Sequence, residues 1–172
     1  MTDIYRRDLL TGTAAIAGLA SIGSVARADV AAGRDPFNYE ITRTEEEWRA
    51  MLGDDYQILR GGGTEELRSS PNWAESREGT YACRGCDLLQ YDSFNKVAIP
   101  KGWAFFTASE PNSQLMSQDG PTDMSSRRSA FDIRIEVHCR RCGSHMGHIL
   151  LVEGRVLHCI NGASLVFTEA AA

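Results

Sequence analysis

The sequence has no basic surplus. Its 18 lysines and arginines face 23 aspartates and glutamates, a net charge of −5. A partner held through a phosphate backbone would need the opposite sign, which argues against nucleic acid. Past the N-terminus the chain also lacks any apolar run approaching the ~17–20 residues of a membrane span. No internal repeat or low-complexity segment is present, and strands do not alternate with helical patterns, so a βαβ architecture is not expected. Cysteine is scarce, five in 172 residues, and the placement of those five matters more than their number.

The N-terminus carries Arg6-Arg7-Asp8-Leu9-Leu10, then a mild apolar run to about Val25, then the small-x-small exit Ala26-Arg27-Ala28. A basic start, a short apolar centre and a small-residue exit read as a secretory signal. The arginine pair points to the twin-arginine route. Residues 1–28 are therefore expected to be removed on export to the bacterial periplasm, with 29–41 a linker and 42–169 the working domain. Losing Arg6, Arg7, Arg27, Asp3 and Asp8 would move the charge from −5 to −6. The remainder has the length of one domain with a real core.

Thr44-x-x-Glu47 has the form of a capping box, so a helix is expected from there to Gly53, with Trp48, Met51 and Leu52 at helical spacing. Thr64-Glu65-Glu66-Leu67 reads as a short helical turn. From Thr80 onward the chain breaks into short apolar runs separated by Gly, Pro, Asn, Asp and Ser. Phe131, Ile133, Ile135 and Val137 alternate strictly, the pattern of a half-buried strand. Residues 109–128 are polar and read as one long loop. The expected class is mainly β, with antiparallel sheets.

Cys83-Arg84-Gly85-Cys86 and Cys139-Arg140-Arg141-Cys142 are paired knuckles. Each two-residue spacing lets both sulfurs of a tight turn meet one ion, and four thiolates make a closed tetrahedral zinc site with no open coordination position. Such a site is structural and adds its binding free energy to folding. In an exported protein the same pairs also read as disulfides, or as one redox pair.

Cys159 stands apart, in the strand Val156-Leu157-His158-Cys159-Ile160-Asn161. A lone cysteine in an apolar strand is more often core than nucleophile. Against that, His158 and Asn161 flank it, and His145-Met146-Gly147-His148 follows the second knuckle directly. A thiolate near imidazoles is a standard nucleophile arrangement.

Taken in order, Cys-x-x-Cys, Gly102-Trp103-Ala104-Phe105-Phe106, Glu136-Val137-x-Cys139-x-x-Cys142-Gly143-x-His145-Met146-Gly147-His148 and Cys159-Ile160-Asn161-x-Ala163-Ser164-Leu165-x-Phe167 resemble the B-type peptide-methionine (R)-S-oxide reductases. The upstream Leu59-Arg60, Gly63-Thr64-Glu65 and Trp73 fit that family's opening segment. The resemblance implies two antiparallel sheets around an active-site depression, small N-terminal helices and a structural zinc site. It implies Cys159 as the nucleophile, attacking the sulfur of methionine sulfoxide in oxidised proteins or peptides and becoming a sulfenic acid. His145, His148 and Asn161 match polar substrate-binding or proton-donor positions, Trp103 a methyl-holding indole, and Cys83, Cys86, Cys139 and Cys142 the Zn2+ ligands. The chemistry suits these residue types: a sulfoxide oxygen leaves only when protonated, imidazole titrates near neutrality, and an indole face favours a partly positive methyl.

Three departures carry expectations of their own. Ala104-Phe105 stand where the family has Pro-Ser, which puts a bulky Phe105 near the substrate methyl. Leu157 and His158 replace an Arg and an aromatic before the nucleophile, so cationic help for the thiolate is either lost or supplied by His158. Lys101 occupies the position of the resolving cysteine found in many members. It could help the thiolate or guide an anionic thiol, the plainer reading being a solvated loop lysine. With all five cysteines assigned, the sulfenic acid would need an external thiol or thioredoxin-like reductant. The competing readings are a zinc-stabilised relative with altered thiol or sulfoxide-binding function, and a non-catalytic zinc interaction module.

Overall fold

The computed structural model describes residues 37–119 and 134–171. The expected signal at 1–28, residues 29–36 of the expected linker, and Phe131 and Ile133 of the alternating stretch lie outside the described residues, as do residues 120–128 of the expected loop.

Helix α1 (Glu45–Leu52) begins where its side chains satisfy the free backbone donors. Thr44 Oγ1 accepts from the Glu47 amide, and the Glu47 carboxylate accepts the Thr44 amide at 2.8 Å. Glu45, Glu46 and Glu47 place negative charge in the first turn, the favourable end of the helix dipole. Trp48 and Leu52, four apart, are buried, while Met51 faces solvent. Gly53 ends the helix with φ 55°. A single turn, α2 (Tyr56–Leu59), follows and buries Tyr56 and Leu59.

The strands are β1 (Gly79–Cys83), β2 (Leu89–Asp92), β3 (Lys96–Val97), β4 (Ala104–Phe106), β5 (Gln114–Asp119), β6 (Arg134–Cys139), β7 (His145–Val152), β8 (Arg155–Ile160) and β9 (Leu165–Glu169). They form a three-stranded sheet in the order β2-β1-β9 and a six-stranded sheet in the order β3-β4-β8-β7-β6-β5, every pairing antiparallel. The expected mainly β class, with antiparallel sheets and small N-terminal helices, is what the chain adopts.

One core fills the space between the sheets and α1. Tyr91 stacks on Phe106 at 4.1 Å, Tyr81 meets Phe106 edge-on, and Trp48, Val137, Met146, Ile160 and Leu165 complete it. Burying side chains of this size is worth about 1.5–3 kcal/mol each. A second, smaller cluster of Ile99, Phe105 and Leu157 packs with Trp103 and Cys159. Period-two alternation along β8 sends Leu157 and Cys159 to this cluster, and His158 and Ile160 to the other face.

Three local expectations are corrected. Within the supposed loop 109–128, Gln114–Asp119 is a strand, paired to β6 over its whole length. Its polar sequence reflects its place at the sheet edge, where few side chains are buried. Thr64–Glu66 forms no helix, because Glu65 reaches away to the Gly162 and Ala163 amides, and a turn begins only at Leu67. Ile135 and Val137 share a face by alternation, yet only Val137 is under the core, and Ile135 is 45% exposed at the open end of the sheet.

Candidate active site

The two knuckles close the ends of β1 and β6, one strand from each sheet. Their four sulfurs lie within 4.8 Å of one another and all four residues are buried. The closest pairs run between the knuckles, Cys83 to Cys142 at 3.7 Å and Cys86 to Cys139 at 3.4 Å. A zinc ion with Zn–S of ~2.3 Å sets tetrahedral sulfurs about 3.8 Å apart, so the donor set and its spacing fit that ion. Two disulfides would need sulfurs at ~2.05 Å, and all five cysteines are free. The electrostatics also call for a cation. Hydrogen bonds from Cys139, Cys83 and Cys86 pull the Cys142 thiol far down, whereas Cys139 and Cys83 are pushed up by their sulfur neighbours. Only a shared positive charge lets all four ionise. Ser144 Oγ, 3.2 Å from Cys142 Sγ, and Gln90 Nε2, 3.4 Å from Cys139 Sγ, are the nearest polar support.

On the Cys159 face of the large sheet lies a depression of about 170 Å3. Trp103, His148, Cys159 and Asn161 line it, together with Thr64, Gly147, Leu150 and Arg134. A larger cleft of about 540 Å3, around Arg77, Phe94 and Thr168, lies at the end of the small sheet and contains neither cysteine nor histidine.

Cys159 is the last residue but one of β8, opposite Phe105 of β4 and His148 of β7. It is half-buried, and burial pushes its thiol up to about 11, with the Glu65 charge adding to the effect. His148 Nε2 is 2.8 Å from Asp119 Oδ2. Trp103 donates its indole N–H to the Glu65 carbonyl at 3.3 Å, which fixes the ring beside Cys159.

Asn161 lines the depression, but both ends of its amide are engaged: Oδ1 accepts the Glu65 amide at 3.0 Å and Nδ2 donates to the Gly63 carbonyl at 3.2 Å. It joins the strand that carries Cys159 to the loop that braces Trp103. His145 is fully buried and does not line the depression. Its Nδ1 is 2.6 Å from Glu136 Oε1, and its ring meets His148 edge-on at 5.3 Å. His145 therefore stands behind His148.

Of the three departures, Lys101 keeps its plainer reading, and neither His158 nor Phe105 acts on the depression. His158 offers the nucleophile no charge, because it turns to the opposite face, where Nδ1 is 3.1 Å from Tyr91 Oη and burial holds its ring below the usual pKa. Phe105 is buried under Cys159 with Ile99 and Leu157 and does not narrow the depression. Lys101 is half-exposed and faces Glu153 at 3.6 Å, a solvated loop lysine.

Sequence reasoning missed Glu65, Asp119 and Arg134. The Glu65 carboxylate accepts the Gly162 and Ala163 amides at 2.6 and 2.8 Å and thereby anchors the turn after the nucleophile. A glutamate directly after Gly61-Gly62-Gly63-Thr64 was the available signal. Asp119 and Arg134 reach the site through strand pairing alone and leave no local signature.

Residues 51–169 match the family model described as the SelR domain. The chain is 33% identical over 169 residues to peptide methionine sulfoxide reductase B3 of Arabidopsis thaliana, covering 95% of this chain and 81% of that protein. It is 36% identical over 134 residues to peptide methionine sulfoxide reductase MsrB of Pseudomonas putida, covering 74% and 94%. With the MsrB of Leptospira interrogans the identity is 32% over 136 residues, covering 77% and 98%. A single half-buried cysteine beside an indole and an imidazole, on a sheet tied by four further cysteines, is in this chain the form taken by the SelR-domain family, the B-type peptide methionine sulfoxide reductases, to which the chain belongs.

Proposed function

We propose that this chain reduces the R epimer of methionine sulfoxide in oxidised proteins or peptides, through a sulfenic acid at Cys159 that an external thiol resolves. The observation that carries the reading is the single depression in which Cys159, the Trp103 indole and the His148 imidazole meet. The indole takes the substrate methyl, His148 serves the oxygen, and the third wall leaves the peptide chain outward, so the sulfur is held by its three different substituents.

The bookkeeping of the reaction is simple. Cys159 Sγ attacks the sulfoxide sulfur, the S–O bond breaks, and the oxygen ends on Sγ, giving methionine and Cys159–SOH. Two equivalents of an external thiol, or one dithiol, then return Cys159–SH, a disulfide and water. The other four cysteines form the buried cluster, which supports an external resolving thiol over an internal one. Zn2+ is the proposed occupant of that cluster. With four sulfur ligands and no open position it would hold the two sheets together and leave the chemistry to Cys159.

The test supplies purified protein with dithiothreitol and each epimer of a blocked methionine sulfoxide. Turnover of the R epimer alone, abolished in Cys159→Ser, is expected, with a sulfenic acid trapped by dimedone in the absence of thiol. Binding without turnover would replace this reading by that of a sulfoxide-binding relative. An intramolecular disulfide at Cys159 after one turnover would refute the external resolving step. The Arg6-Arg7 start and Ala26-Arg27-Ala28 exit support export by the twin-arginine route to the periplasm. Replacing Arg6-Arg7 with Lys-Lys in the full chain should then retain the protein in the cytoplasm.

A further inference from the structure

At the depression lies a charged pair, of which Arg134 is a lining residue, that the reaction as described leaves unused. Asp119 closes β5 and Arg134 opens β6, directly opposite each other in the ladder. One oxygen, Asp119 Oδ2, meets both Arg134 Nη2 at 3.1 Å and His148 Nε2 at 2.8 Å. Arg134 and His148 both line the depression with Cys159, and His148 stands opposite Cys159 across β7 and β8. A surface ion pair alone is worth little. Here, however, the shared carboxylate also grips an imidazole whose side chain is only 11% exposed. The nucleophile strand brings no cation of its own close by: Leu157 is apolar, His158 faces the core, and Arg155 is four residues along, roughly 13 Å away.

We propose that Asp119 and Arg134 are positioning residues for His148, fixing its ring and setting the pH range over which it can give a proton to the sulfoxide oxygen. The proposal rests on the reductase reading above. With Nε2 committed to Asp119, the proton delivered to a ligand leaves from Nδ1. The step balances as Cys159 thiolate plus sulfoxide plus His148 imidazolium giving Cys159–SOH, the sulfide and neutral imidazole, which is reprotonated from water.

The charges around His148 oppose one another. Burial lowers its proton affinity, the bond to Asp119 raises it, and the nearness of His145 and of the Arg134 guanidinium lowers it. The titratable and charged groups facing it are Asp119 on β5, Arg134 and Glu136 on β6, His145 on β7 and Cys159 on β8, with Glu65 acting on Cys159 from the preceding loop. Removing the carboxylate charge and removing the guanidinium charge must therefore shift His148 in opposite directions. A merely structural role for the pair would not do this.

The experiment measures kcat and KM for the R epimer against pH in wild type, Asp119→Asn, Arg134→Gln and Arg134→Lys, alongside the NMR titration of His148. Asp119→Asn should lower kcat roughly tenfold or more with little change in KM, and move the alkaline limb to lower pH. Arg134→Gln should move that limb to higher pH, and Arg134→Lys should return it toward wild type. An active wild type with both neutralising variants unmoved, or shifted the same way, overturns the proposal. So does a change in KM alone. If the wild type turns over neither epimer, the reductase reading falls, and the His148 titration still decides the pair: opposite shifts uphold it as the group that tunes His148, and no shift overturns it.

Discussion

Replacing Gly147 by alanine tests whether the nucleophile owes its position to the close approach of β7 and β8. Gly147 faces Ile160 across the ladder and has φ 150°. A methyl there would lie 2.2 Å from the Cys159 carbonyl oxygen, 2.9 Å from Ile160 Cα and 3.1 Å from the Cys159 carbonyl carbon. All three are backbone atoms, so no rotamer change relieves the overlap. Restoring an ordinary contact of 3.4 Å requires about 1.2 Å of movement between the strands. β8 has no free side to move toward, since β4 pairs with it at Ala104, Phe105 and Phe106.

Overpacking of this kind costs about 1–3 kcal/mol, and the unusual φ for a residue bearing Cβ costs of order 1–3 kcal/mol more. A domain holds about 5–15 kcal/mol, so the variant is expected to fold with a Tm lower by roughly 5–20 °C. A ~1 Å misplacement of a reacting group costs about a hundredfold in rate. The assay is kcat for the R epimer with dithiothreitol, beside a thermal melt and the zinc content. We expect kcat down about a hundredfold with zinc retained, because Gly147 touches β8 and not the knuckles. Alanine at 147 with kcat within about threefold of wild type and an unchanged melt would refute the reasoning.

Removing the metal with a strong chelator should unfold the chain and expose four thiols per ion released, because structural zinc binding of about 10–16 kcal/mol is comparable with the whole stability of a domain; a folded, metal-free protein by circular dichroism would count against this. Burial disfavours the Cys159 thiolate, so alkylation of the free enzyme should quicken about tenfold per pH unit toward a midpoint of about 11, and a plateau by pH 8 would contradict it. Glu65→Ala strips the Gly162 and Ala163 amides of their acceptor. At about 1.5–3 kcal/mol per charged hydrogen bond, it should lower both Tm and kcat while Glu66→Ala, on an exposed neighbour, changes neither. Tyr91→Phe should cost about 1–3 kcal/mol by leaving buried His158 unpaired, with His158→Phe added to it recovering stability and kcat unaffected throughout; a loss of kcat in the double variant would put His158 in the site after all.

What was legible in the sequence was what is encoded locally. The capping box from Thr44 to Glu47 and each knuckle are matters of four residues. What was not legible depends on pairing between distant strands. Asp119 meets His148 only because β5, β6 and β7 lie side by side in one register, and nothing in a polar run such as Gln114–Asp119 announces a strand. Glu65 was misread because glutamate favours a helical turn locally, while the amides of Gly162 and Ala163, almost a hundred residues on, offered a stronger partner.

The nucleophile strand shows why neighbours in sequence mislead. His158 and Asn161 flank Cys159 and read equally well as its polar partners. Alternation decides between faces, and a slip of one residue would exchange them, putting His158 into the depression and Cys159 into the core. Ile160, fully buried in the main cluster, and the His158–Tyr91 bond oppose that slip from the core side. Phe105 and Leu157 oppose it from the other. Asn161 keeps the alternation, two residues past Cys159 and on its face, and its amide is taken up by Gly63 and Glu65. Cys159 is thus selected by register: an identical cysteine one position away on the same strand would be a core residue, and His148, not the adjacent His158, is the imidazole it meets.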